Sequence, residues 1–178
     1  MNERQRQKHE RTQSMIIAAA KELIQENGFS QLSLRAIAKR VQYAPASLYE
    51  YFESKDAIID ALCAQINRNL IEYMKKEDSL REQSWRYIAF ALEFPDDFQL
   101  LYHRPLLESE EDRVLTLFRE GASKHSSENR ELLAYSLWST VHGLALLALN
   151  RELYDSVEDK EYHCQVIDGI LAHYPEEQ

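Results

Sequence analysis

Only four glycines and four prolines punctuate the 178 residues of this chain. Tight β-hairpin turns draw on glycine for their positive φ angles, so there is little material for a sheet. The economical reading is an all-α fold of about nine helices. The length suffices to bury a real core in one domain or one and a half. With 44% hydrophobic and 29% charged residues the composition is that of an ordinary globular protein.

Helix start and stop signals divide the chain. Ile16, Ile17, Ala20, Leu23 and Ile24 recur at helical spacing in a first helix over 4–27, which Asn27-Gly28 closes with a left-handed cap. Ser33 is the expected N-cap of "LRAIAKRV", whose Leu34, Ile37, Ala38 and Val41 share one face. Three or four residues later Pro45 opens a second short helix. Ser54 caps a long helix ending near Lys76, and Ser79 with Glu82 forms a capping box for the next, to about Glu93. Pro95 opens a further helix that Pro105 closes, and another runs over 107–124. A 20-residue helix lies within 126–153, and Ser156 begins a last one ending near His173.

Two short helices with a brief turn, preceded by a third helix, are the parts of a helix-turn-helix, here about 33–53. In that motif the second helix enters the major groove N-terminus first, which presents Tyr43, Ala44, Pro45, Ala46 and Ser47. Small residues at 44, 46 and 47 permit close approach, and Ser47 can bond a base edge or a phosphate. Charge distribution agrees with this. Residues 1–55 hold nine Lys/Arg against six Glu, a balance of +3, and the remainder holds 12 basic and 24 acidic residues. A basic head on an acidic body confines a polyanion to the head.

The run "AAKELIQENGFSQLSLRAIAKRVQYAPASLYEYFESKDAIIDAL" resembles the DNA-binding domain of the TetR family of bacterial transcriptional regulators. The resemblance is carried by Ala19-Ala20, Leu23, Asn27-Gly28-Phe29, Ile37-Ala38 and Leu48-Tyr49-x-Tyr51-Phe52-x-x-Lys55. "LWSTVHGLALL" is similar to a Trp-x-x-x-His-Gly pattern in the regulatory domain of one branch of that family, and "FPDDFQLLY" fits the same branch. The resemblance implies a DNA-binding domain at 1–53, a helical effector-binding and dimerisation domain at 54–178, and a ligand-responsive repressor acting as a homodimer on a palindromic double-stranded operator. It also implies backbone contacts from Tyr49 and Lys55, with base and further phosphate contacts from Arg35 and 43–47. Ser33 and Tyr51 complete the candidate interface, Tyr51 packing its ring while its hydroxyl reaches out. Leu48 and Phe52, four apart, form the inner face. Gln42 stands where the family commonly has glycine, a position that can require a left-handed backbone costing roughly 1 kcal/mol.

In the body, Leu133, Leu137, Val141, Leu144 and Ala148 form one apolar stripe and Val166, Ile170 and Tyr174 another. Paired with their symmetry mates these helices would make the four-helix interface that the resemblance implies. The competing reading is that the stripes fill the subunit's own core. Tyr87, Phe90, Phe94, Phe98, Tyr102, Phe118 and Trp138, with His142 as a polar group, supply a candidate pocket for an unknown, partly hydrophobic small-molecule effector, again against a core-packing alternative.

Cys63 and Cys164 lie about a hundred residues apart without CxxC spacing, which fits a reducing cytoplasm and gives no metal site or cofactor. The charged first twenty residues lack the apolar run of a signal peptide, and no stretch approaches 18 consecutive apolar residues, so no membrane is expected. The nucleotide-binding, zinc-protease and serine-hydrolase signatures are absent, and the six histidines are scattered. A small helical enzyme and a helical dimeric interaction protein without DNA binding remain the rivals.

Overall fold

The computed structural model describes residues 2–102, 108–123, 129–150 and 160–174, with the backbone alone for 108–113. Among the described residues the only regular elements are helices, without strands. They form two compact units, residues 1–65 and 66–178. The boundary falls later than the expected 53/54, inside a helix. Caps mark where a helix starts, whereas a unit ends where burial changes hands, and one long amphipathic helix can serve two cores.

The first unit opens with α1 (Glu3–Asn27). Its N-terminus carries a capping box that the sequence reading missed, Asn2 accepting from the Gln5 amide while the Gln5 side chain accepts from the Asn2 amide. Thr12, Ile16, Ala19, Ala20 and Ile24 form the buried stripe. Gly28 ends the helix at φ 78° but with ψ at 161°, so the cap has the positive φ expected of glycine without a left-handed helical residue. After a 3-10 turn, Ser33 caps α2 (Leu34–Arg40) by accepting from the Ala36 amide. Ile37 and Ala38 are fully buried, Val41 is buried, and Leu34 is half-buried.

α2 ends in a Schellman closure. The Tyr43 amide donates to the Ala38 carbonyl at 2.9 Å and the Gln42 amide to the Lys39 carbonyl at 3.3 Å. This pattern requires a positive φ at the residue after the cap, and Gln42 has φ 59°. Replacing Gln42 by glycine therefore relieves a side-chain clash and is expected to raise stability by about 0.5–1 kcal/mol. A urea midpoint for Gln42→Gly at or below that of the natural chain would refute the strain.

Ser54 then caps α3 (Lys55–Met74), its hydroxyl accepting from the Ala57 amide. Ile58, Ile59 and Leu62 are buried in its first half, and Ile66, Leu70 and Met74 in its second. The second unit continues with α4 (Leu80–Glu93), α5 (Pro95–Tyr102), α6 (Glu108–Ala122), α7 (Arg130–Leu149) and α8 (Lys160–His173). Ser79 caps α4, but the expected box is half made, because the Glu82 carboxylate turns to Arg81 and Lys160. Gly121 lets α6 approach α4 closely, since a Cβ there would stand 2.6 Å from Leu80 Cδ1. Arg81 grips Asp168 through two parallel hydrogen bonds, tying α4 to α8. Pro105 and Ser156, read as a helix end and a helix start, lie outside the described residues.

Candidate functional site

The Schellman closure sets up the segment that follows. Ala44 is extended and offers no side-chain cap, so Pro45 supplies the start, and Pro45–Glu50 winds as a 3-10 helix rather than the expected α-helix. Leu48 is its fully buried anchor, and Phe52 is half-buried behind it. Ala44, Pro45, Ala46 and Tyr49 are exposed, and Tyr43 and Ser47 are half-buried. Tyr49 is the most open aromatic here, with 60% of its surface in solvent.

Tyr51 is committed inward. Its ring lies 4.8 Å from His9 and meets Tyr43 edge-on at 6.3 Å, and its carbonyl accepts from Gln13. Lys55 is half-buried, its Nζ 3.5 Å from the Leu32 carbonyl, and Arg35 is exposed on the first turn of α2. Thus Arg35, Tyr43–Ser47 and Tyr49 present side chains to solvent, whereas the Ser33 hydroxyl serves as a helix cap and the Tyr51 ring as packing.

The basic character of this unit is concentrated by internal pairing. Arg40 forks onto Glu26 and also reaches Glu22, both on α1. The Arg40 hydrogen bond holds the Glu26 carboxyl below its ordinary range, and the two carboxylates raise the guanidinium. Arg40, though exposed, is the clasp between α1 and α2.

In the second unit the eight aromatic and histidine candidates do not gather into one site. Tyr87, Phe98, Tyr102, Phe118 and His142 form a packed cluster, with Tyr87, Phe98 and Phe118 fully buried. Its polar centre is a hydroxyl pair, Tyr87 with Tyr102, and a 3.0 Å bond between the Tyr87 hydroxyl and His142 Nδ1. The Trp138 indole N–H is buried beside the Tyr87 hydroxyl without a close hydrogen bond among the described residues, and its ring meets Tyr135. Phe90 and Phe94 turn elsewhere, with Tyr73, Asn69, Glu72, Lys76 and Asp97, into a surface groove of about 270 Å³.

Burial raises the Tyr87 phenol well above its ordinary range and lowers the His142 imidazole below 6.5. A depressed histidine binds fewer protons when folded, so its contribution is complete above about pH 6.5 and is lost as pH falls through the lowered folded value. Stability is expected to decline on acidification from pH 6.5, and His142→Gln to flatten that slope. Thermal melts of both proteins across pH 5–8 check this, and parallel slopes would exclude the imidazole.

α7 is apolar on all sides and divides cleanly. Leu133, Leu137 and Val141 are fully buried and Ala148 is buried, while Leu144 is half-buried. The stripe expected at a dimer interface is therefore the inner one. The opposite face exposes Leu132, Tyr135, Leu146 and Leu147 among Ser136, Ser139 and Gly143. On α8, Tyr162 and Gly169 are exposed with Val166 and Ile170 half-buried beside them, and Tyr174 lies just past its end. Both faces were readable as apolar, but helical period alone does not say which one the subunit consumes. α7 also has the length and mean hydropathy of a bilayer-crossing helix, a test that the core helix of a soluble protein passes as well; a third of that window is buried within the subunit. Among the described residues no group of three His, Cys, Asp or Glu side chains could hold a metal ion.

Residues 16–62 match the model of the bacterial regulatory proteins of the tetR family, and residues 80–168, half of the chain, match the tetracyclin repressor-like C-terminal domain. Over 54 residues the chain is 43% identical to the HTH-type transcriptional regulator UidR of Escherichia coli strain K12, which is 30% of this chain and 28% of that protein. The match thus spans under a third of UidR. The uncharacterized HTH-type transcriptional regulator YobS of Bacillus subtilis strain 168 is 25% identical over 161 residues, 83% of this chain and 84% of YobS. The fold is similar to that of the multidrug binding protein EbrR, solved with malachite green, at a TM-score of 0.70 and 19% identity over 89% of this chain and 96% of that one.

Proposed function

Because this chain belongs to the TetR family of bacterial regulatory proteins, we propose that it is a DNA-binding transcriptional repressor that acts as a homodimer in the cytoplasm and not as an enzyme. The observation that carries the reading is the Schellman-closed turn leading into a short helix with an open N-terminal edge, Tyr43 to Ser47, and an exposed Tyr49 beside it. That edge enters the major groove, Tyr49 donates to a phosphate, and Arg35 and Lys55 bind further phosphates. Lys55 releases the Leu32 carbonyl to do so, a long bond that is easily exchanged.

One recognition helix has a small footprint, so two copies bind half-sites one helical turn apart. The outer face of α7 with the neighbouring face of α8 joins them, its serines and glycines allowing close helix approach around Leu132, Tyr135 and Leu146. A second copy, not a bilayer, covers the apolar face of α7. The effector is a small, partly hydrophobic molecule. It enters the Tyr87–Tyr102–His142 cluster, where two hydroxyls, an imidazole and the Trp138 N–H offer polar partners among aromatic walls. EbrR, bound to malachite green, is a protein of this fold that holds an aromatic ligand. An effector changes operator affinity only by its unequal affinity for the two dimer states.

Selection of genomic fragments on the full-length protein, followed by salt-dependent gel shifts, tests the proposal. A palindromic sequence should be enriched and bound more weakly as salt rises. Failure to enrich any sequence at low salt would refute it.

A further inference from the structure

The nine basic residues of the first unit are not equally available. Arg40 is held by Glu22 and Glu26, and Arg6 by Glu3 and Glu10. Arg4, Lys8 and Arg11 are exposed and make no ion pair or side-chain hydrogen bond among the described residues. Their spacing of four and three residues places them within an arc of about 60° on α1, and Glu3 and Glu10 lie about 80° or more away around the same helix. The result is one uncompensated cationic flank over the first three turns of α1.

That flank is firmly placed and close to the candidate interface. α1 is capped from Asn2, so its first turns are held in register. His9, next to Lys8, stacks on Tyr51 at 4.8 Å, and Tyr51 meets Tyr43, the first residue of the groove-facing edge, at 6.3 Å. Gln13 fixes the same level of α1 by donating to the Tyr51 carbonyl at 3.1 Å. These residues also precede the segment 16–62 that the family model matches.

We propose that Arg4, Lys8 and Arg11 form a second phosphate-binding element of this protein, gripping the DNA backbone beside the stretch contacted by the recognition helix. The inference rests on the regulator reading above. The three residues advance about 10 Å along the helix axis, a span over which long side chains can reach more than one phosphate of a strand. Such contacts carry no base information. They add affinity, salt dependence and length of footprint but leave sequence preference unchanged.

The test uses the full chain and an operator fragment recovered by genomic selection. Arg4→Gln/Lys8→Gln/Arg11→Gln is compared with Arg6→Gln, which removes a charge already paired on the same helix. The triple variant is expected to bind the same sequence about ten- to a hundredfold more weakly at moderate salt. Its dependence of log affinity on log salt should be shallower by about 0.9 for each lost contact in each protomer. Phosphate-ethylation interference should vanish at the phosphates outside the recognition-helix contacts and persist elsewhere. Arg6→Gln should leave all three readouts unchanged. An unaltered salt slope and interference pattern in the triple variant would overturn the inference while leaving the regulator reading standing; a natural chain that binds no operator would overturn both. Circular dichroism of the triple variant separates these outcomes from unfolding, and Arg4→Lys/Arg11→Lys, which keeps the charge, should restore the slope.

Discussion

Alanine at both Tyr49 and Lys55 is expected to lower operator affinity by at least about a hundredfold while leaving the protein folded. Tyr49 has 60% of its surface in solvent, so its ring contributes little to the packing of the unit. Lys55 is half-buried, but its single hydrogen bond to the Leu32 carbonyl is long at 3.5 Å. Neither side chain anchors the fold, so truncation costs stability little. A hydrogen bond to an ionised group contributes about 1.5–3 kcal/mol, and a dimer loses each contact twice. Loss of Lys55 also removes one released counterion per protomer and so makes the salt dependence shallower by about two in all. Tyr49→Phe, which keeps the ring and deletes the hydroxyl, should reproduce the part of the loss that the phosphate hydrogen bond supplies. Gel shifts across a salt series read both numbers. Unchanged binding by the double variant would remove these two residues from the interface.

The second large effect separates the two faces of α7. Tyr135→Asp/Leu146→Asp is expected to yield a folded monomer that binds the operator at least about a hundredfold more weakly. Both side chains are exposed, at 59% and 47%, so a carboxylate is solvated in the monomer and buried only if copies meet there. A monomer engages one half-site and loses the gain from tethering a second reading helix. Leu137→Ala should do the opposite: it leaves association intact while costing about 2–5 kcal/mol of stability, because Leu137 is fully buried within the subunit. Sedimentation velocity and thermal melts distinguish the outcomes. A dimeric aspartate variant would place the interface elsewhere.

Much of the fold was legible because helix ends are written locally. Ser33, Ser54 and Ser79 accept hydrogen bonds from the amides three residues on, as their sequence context predicts. Buried positions such as Ile16, Ile37 and Leu48 follow from spacing and apolarity. Gln42 was legible too, as a residue standing where a positive φ is needed. Less was readable in the 3-10 winding of Pro45–Glu50, since a run of six residues gives periodicity little length to distinguish three residues per turn from 3.6. The Arg40 clasp onto Glu22 and Glu26 bridges two helices, and nothing in local sequence announces such a partner.

The sequence by itself determined that this chain is helical, where most of its helices begin, and that a helix-turn-helix stands near its start. These properties depend on caps, spacing and residues a few positions apart. Only the tertiary structure decided which face of α7 the subunit buries, which aromatics meet Tyr87 and which line the groove with Tyr73, and which arginines keep an unneutralised charge. Those outcomes depend on contacts between residues far apart in the chain. An apolar or charged side chain carries no local mark of the partner that will cover it.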